Sequence, residues 1–165
     1  ITLPKDITSF DDAEMVLLFL SEQVGRRVRR ENYMGRTVTV TLRYASFDTI
    51  TRSVTIFYTN STEDIYNASR KLLYSNWDGK TPLRLLGVSL SNLVKEFDQV
   101  SLFDNEEKKR KLNRVMDEIK DRFGDDAIFR AKLLDDKELN ERKLGKTENN
   151  APAIPVMLCT KDLLT

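Results

Sequence analysis

The chain has 165 residues, with 27 Lys and Arg against 26 Asp and Glu, a single cysteine (Cys159) and no histidine. That length fits one domain, or one domain with an appended tail. One cysteine cannot form an internal disulfide, the lack of histidine removes the commonest zinc ligand, and no run of 18 apolar residues offers a membrane span.

A net charge of +1 sits badly with a simple nucleic-acid-binding reading. Splitting the chain helps little: residues 1–103 carry 13 Lys and Arg against 12 Asp and Glu, and residues 104–165 carry 14 against 14. Any site for a polyanion must therefore come from placing the cations on one surface.

In chain order, Ile1 to Pro4 reads as extended backbone. Ser9 followed by Asp12 has the form of a helix N-cap with an acidic first turn. Ala13, Leu17, Leu20, Val24 and Val28 recur at helical spacing, and Met15, Val16, Leu18 and Phe19 widen that apolar face, so this helix is expected to lie deep. Arg26, Arg27, Arg29 and Arg30 close it. They complement the helix dipole or form a phosphate-facing cluster, and four arginines within five positions must point in several directions. Gly35 follows shortly after.

From Gly35 the period changes to two. Val38, Val40, Leu42 and Tyr44 alternate with Thr37, Thr39, Thr41 and Arg43, the pattern of a half-buried strand. Ala45 to Thr49 is turn-prone, and a second strand runs from about Ile50 to Tyr58, which makes a hairpin with a four- to five-residue connection. Ser61 or Thr62 then caps a second helix whose buried stripe is Ile65, Ala68, Leu72 and Leu73. Trp77 is expected to wedge between helix and sheet. After Pro82 comes another strand, in which Leu86, Val88 and Leu90 face one way and Gly87, Ser89 and Ser91 the other.

Strand, helix, strand, strand, helix, strand is the ferredoxin-like βαββαβ plan of the α+β class. It predicts a four-stranded antiparallel sheet with both helices on one face. The opposite face is then bare and lined by Thr37, Thr39, Thr41, Arg43, Ser53, Thr55, Ser89 and Ser91. Such short donors suit a phosphate backbone. Readers of single strands need exposed aromatics for stacking, and only Phe57, near a strand end, could serve.

The pattern fails from Val94. Residues 1–94 are expected to form the first domain and 95–104 a polar linker. An amphipathic helical extension follows over 105–134, and 135–165 form a polar, poorly ordered tail. Asp104 and Glu107 resemble a capping box. Leu112, Val115, Met116, Ile119 and Phe123 make an apolar stripe with Gly124 as C-cap. Helix 105–123 must pack back on the domain, associate weakly with a second copy, or meet another partner.

GRTVTVTLRYASFDTITRS, followed some 30 residues later by PLRLLGVSLSNL, closely resembles the little-finger domain of bacterial Y-family translesion DNA polymerases, the DinB/UmuC class that includes DNA polymerase IV. The resemblance covers roughly residues 1–103. It implies a domain that grips template-primer duplex DNA through phosphates, mainly from the major-groove side, in a cytoplasmic, nucleoid-associated enzyme. On the matching positions it implies that Arg52 is the phosphate-binding arginine, with Ser53, Thr55, Ser89 and Ser91 beside it and Thr39, Thr41 and Arg43 on the neighbouring strand. Many relatives carry a basic residue where Ser89 stands. Strict alternation puts Arg52 with Val54 and Ile56 on the core side, so a bulge near the turn or a place at the sheet rim is needed.

Gln99, Val100, Ser101, Leu102 and Phe103 resemble the sliding-clamp-binding pentapeptide of bacterial clamp partners. Gln99 would hydrogen-bond at a pocket rim while Leu102 and Phe103 bury apolar area worth about 1.5–3 kcal/mol each. The other reading is a hydrophobic staple against the following helix. Residues 112–134 more loosely resemble C-terminal extensions of UmuC-like and some Gram-positive Y-family polymerases, a match that implies no defined activity.

No catalytic site is expected in this chain. Phosphoryl transfer by a polymerase needs carboxylates holding two metals, and in this family they and their Mg2+ belong to a palm domain that nothing here resembles. The implied partners are duplex DNA, the bacterial clamp and the other polymerase domains, with no cofactor and no membrane. Two alternatives from other classes are a protein-interaction module working through helix 105–123, and a small ferredoxin-like acyl-phosphate hydrolase. The latter lacks an anion-cradling loop.

Overall fold

The computed structural model describes residues 1–95 and 104–133, without the side chains of Pro4, Asp104, Asn105 and Glu106. Of the described residues, 1–95 fall in one compact unit and 104–133 in a second. The first runs β1 (Thr2–Ile7), α1 (Phe10–Arg30), β2 (Tyr33–Tyr44), β3 (Thr49–Thr59), α2 (Thr62–Asn76), β4 (Leu83–Ser91) and β5 (Val94–Lys95). This is the expected α+β plan.

The four long strands pair antiparallel in the order β1-β4-β2-β3, and the two-residue β5 pairs with the start of β2. Each βαβ unit is split by one strand: β4 lies between β1 and β2, and β2 lies between β3 and β4. The periodicity alone specifies neither β5 nor the central position of β2 and β4. Since β2 has neighbours on both sides, its alternation decides which face of the sheet is buried.

On one face Val38, Val40, Leu42, Leu86, Val88 and Leu90 are all buried, together with Leu17, Val24 and Val28 of α1 and Ile65 and Leu73 of α2. Helix α1 begins as predicted: the Ser9 Oγ accepts from the Asp12 backbone N–H at 3.2 Å. It closes on its arginines, at Arg30. The left-handed residue after the helix is Asn32, with φ 56°, while Gly35 already lies within β2. Asparagine tolerates that conformation.

Helix α2 starts at one of its two predicted cap residues, without the cap bond. Ser61 sits at the N-cap position but makes no side-chain cap bond. Instead the Thr59 hydroxyl accepts from the Ser61 N–H at 3.0 Å and donates to the Asp64 carboxylate at 2.8 Å. Trp77 is buried at the far end, edge-on to Phe10, and its indole N–H donates to the Thr81 carbonyl at 2.8 Å. Gly79 adopts φ 73°, and a Cβ there would collide with the Phe10 ring, so this turn requires glycine.

The helices also hold each other through charge. Glu14 of α1 is buried and accepts from Arg70 Nε at 2.6 Å, from the Tyr74 hydroxyl at 2.7 Å and from the Tyr66 hydroxyl at 3.0 Å. The hydrogen bond that Arg70 donates to Glu14, followed by its hydrogen bond with Tyr74, raises the Arg70 pKa above its ordinary value. Arg29 donates to the Asn60 carbonyl at 2.7 Å and the Thr62 hydroxyl at 3.3 Å, which ties the end of α1 to the start of α2.

The second unit contains α3 (Asp104–Phe123) and a short 3-10 turn at Ala131–Leu133. Glu107 accepts from Lys111 one turn later at 2.7 Å, and this bond holds its carboxyl below the usual range. Gly124 ends the helix as predicted, with φ 95° and its N–H on the Lys120 carbonyl at 2.9 Å. Of the predicted apolar stripe, Leu112, Val115 and Phe123 are exposed. No helix among the described residues is long and apolar enough to cross a membrane.

Candidate nucleic-acid interface

The sheet register assembles the face away from the helices row by row. Thr37 of β2 lies between Thr55 of β3 and Ser91 of β4. Thr39 lies between Ser53 and Ser89, Thr41 between Thr51 and Gly87, and Arg43 between Thr49 and Leu85. These twelve positions hold nine hydroxyls, one glycine, one leucine and one arginine, and no carboxylate. A Cβ at Gly87 would stand 3.4 Å from the Thr41 Cβ, so glycine keeps the third row flat.

The rows are cross-linked. The Thr39 and Ser53 hydroxyls lie 2.8 Å apart, Arg43 Nε donates to the Thr49 hydroxyl at 2.9 Å, and the Asn92 amide donates to the Thr37 hydroxyl at 2.8 Å. Six residue steps from Thr37 to Arg43 make the platform about 20 Å long, and three strands make it about 10 Å wide. A hydroxyl both donates and accepts, so the platform can donate to phosphate oxygens without committing to one register.

Charge is segregated in a way that the net value hides. Strands β2, β3 and β4 carry four arginines (Arg36, Arg43, Arg52 and Arg84) and no acidic residue, whereas α1 balances Asp11, Asp12, Glu14 and Glu22 with Arg26, Arg27, Arg29 and Arg30. Arg84 pairs with Asp6 at 3.5 Å. Arg36, Arg43 and Arg52 have no carboxylate partner among the described residues; Arg36 lies over the Tyr58 ring, 5.6 Å from its centroid. Cations left without counter-charges are the condition that the overall +1 could not reveal.

The predicted site residues do not all come together. Thr39, Thr41, Arg43, Ser53, Thr55, Ser89 and Ser91 share the platform. Arg52 does not. It lies opposite Val40, on the helix-side face, and the β2–β3 register runs unbroken from Thr37 to Arg43, so no bulge near the turn rotates it. Because β3 is an edge strand, Arg52 escapes burial at the rim. There its Nε donates to Asn76 Oδ1 at 3.0 Å and its Nη1 to the Thr51 carbonyl at 3.0 Å. The Asn76 amide is itself fixed on the Leu72 carbonyl at 2.8 Å. The bulge lies at the other end of the hairpin, where Gly35 pairs with Thr59 but Thr37 with Thr55.

Thr49 and Thr51 complete the platform rows, and strand alternation alone places them there. Asn92 was not legible, because its side chain reaches the platform only through a positive φ of 54°. The pentapeptide Gln99, Val100, Ser101, Leu102 and Phe103 lies outside the described residues. Among the described residues no group of three or more His, Cys, Asp or Glu could hold a metal ion.

One sheet, roofed by two helices on one side and left as a carboxylate-free hydroxyl platform on the other, defines a sheet-platform module. The family model of the impB/mucB/samB family C-terminal domain matches residues 1–122, and the chain belongs to that family, the little-finger domain of Y-family DNA polymerases of the DNA polymerase IV class. It is 50% identical over 139 residues to DNA polymerase IV 2 of Bacillus subtilis (strain 168), which covers 81% of this chain and 34% of that protein. To DNA polymerase IV of Pelotomaculum thermopropionicum it is 42% identical over 133 residues, 79% of this chain and 33% of that protein. The chain thus spans about a third of the length of these curated relatives. A solved little finger domain of PolIV, in complex with a beta-clamp processivity factor, matches with a TM-score of 0.45 at 19% identity, over 63% of this chain and 90% of that one.

Proposed function

We propose that this domain grips template-primer duplex DNA for a translesion DNA-directed DNA polymerase, with the sheet platform against the phosphate backbone. The single observation that carries the reading is the platform's composition: nine hydroxyls and an arginine over twelve positions, with no carboxylate. Arg43 on the platform and Arg52 at the β3 rim supply charge, while Thr39, Thr41, Ser53, Thr55, Ser89 and Ser91 supply short donors. Such contacts position a duplex without reading its sequence. That suits an enzyme that must accept many templates.

Catalysis, with its Mg2+, is assigned to the palm domain of the parent protein, and this chain contributes grip alone. The peptide from Gln99 to Phe103 is assigned to a bacterial sliding clamp, which would raise the local concentration of the polymerase at the primer end. The test is duplex affinity across a salt series. Arg43→Ala and Arg52→Ala should each weaken binding uniformly across sequences and reduce the salt slope by about 1. Unchanged affinity of both variants at low salt would remove the reading.

A second role, as a self-association module, is favoured by the exposure of Leu112, Val115 and Phe123 on α3. Sedimentation of the chain should then show a dimer that Leu112→Asp abolishes, and a monomer at all concentrations would exclude it.

A further inference from the structure

Beyond the row of Thr55, Thr37 and Ser91, strand β3 bulges: Ile56, Phe57 and Tyr58 stand against Arg36 alone. Bulges re-aim side chains, and this one leaves Phe57 95% exposed. Arg36 is the exposed β2 residue opposite this bulge; its guanidinium lies 5.6 Å from the centroid of the Tyr58 ring, without a carboxylate partner among the described residues. An aromatic ring in water, one strand away from an exposed arginine and at one end of a strip of short hydroxyl donors, has the composition of a single-strand contact.

We infer that this corner takes unpaired nucleotides, with a base stacked on Phe57 and its phosphate on Arg36. The inference rests on the platform holding duplex DNA and adds a second substrate feature, a single-stranded overhang running off one end of it. An intact duplex cannot satisfy Phe57, because its bases already stack on one another and offer no free face. An unpaired base offers one, whatever its identity.

The experiment compares the full chain's affinity for a short blunt duplex with that for the same duplex carrying a few unpaired deoxythymidines, one of them replaced by 2-aminopurine. The overhang should tighten binding by about tenfold, and 2-aminopurine fluorescence should fall as the base stacks. Phe57→Ala should abolish both effects and leave blunt-duplex affinity unchanged, and Phe57→Tyr should restore both. An overhang that adds nothing, or a gain that survives Phe57→Ala, overturns the inference while leaving the platform reading intact. Absence of blunt-duplex binding, with oligodeoxythymidylate still bound through Phe57, removes the platform reading and retains the stacking site. Loss of blunt and overhang binding alike in Phe57→Ala would make Phe57 an ordinary duplex contact and refute the inference.

Discussion

The two faces of the sheet come from the same strands, a residue apart, and handle charge in opposite ways. Under the helices, Val38, Val40, Leu42, Leu86, Val88 and Leu90 are buried, and the charges at the helix pair are matched, with Glu14 meeting Arg70 and two tyrosines. On the platform the Thr39 and Ser53 hydroxyls meet each other and Arg43 meets the Thr49 hydroxyl, with no carboxylate in any of the four rows. One side is organised for internal stability. The other is left as hydroxyls and one arginine, free of carboxylates.

That contrast breaks most visibly in the core. Leu86→Ala should cost about 2–5 kcal/mol in denaturant unfolding, because a fully buried leucine leaves a cavity against Leu42. Thr39→Ala, one strand away on the platform, should stay within about 0.5 kcal/mol. Comparable losses would mean that the platform is a structural surface.

Glu14→Gln sharpens the comparison on the helix side. Two tyrosine hydroxyls and Arg70 lose a charged acceptor, which should cost about 1–3 kcal/mol. Arg70 is half exposed, so water screens its share. Duplex affinity per folded molecule should not change, since Glu14 lies on the opposite side of the sheet.

A smaller effect is expected at Asp78, whose carboxylate accepts from the Thr81 and Lys80 N–H groups and the Thr81 hydroxyl. Those bonds hold its pKa at about 2. A depressed carboxyl stabilises the fold above its unfolded pKa of about 4, and that contribution is lost as pH falls from about 4 to 2. Asp78→Asn should flatten this part of the acid-unfolding profile, and an unaltered profile would contradict the assignment.

Much of this was legible in the chain. The period-two runs placed both hairpin strands, Ser9 and Asp12 marked the start of α1, and alternation put Thr39, Ser53 and Ser89 on one face, which the strand register then joins into a row. Arg52 was harder. Alternation placed it on the helix side and the family resemblance with the phosphate-binding face, and only the edge position of β3 explains how it is both helix-side and exposed. The Glu14 cluster was invisible, because its partners lie 52 to 60 residues away and no local pattern links them. At α2 the sequence named the N-cap residue, Ser61, but not that its hydroxyl leaves the helix uncapped while Thr59 binds the Ser61 N–H and Asp64.

The most direct test of the account plants the same charge change on the two sides of the sheet. Arg43→Glu alters the platform and Lys71→Glu alters the exposed surface of α2, and each lowers the net charge by the same amount. Measured against a short duplex at low salt, Arg43→Glu should lose at least about tenfold in affinity while Lys71→Glu stays within about twofold. Equal losses would mean that the duplex responds to net charge alone and that the bare face of the sheet is not where it binds.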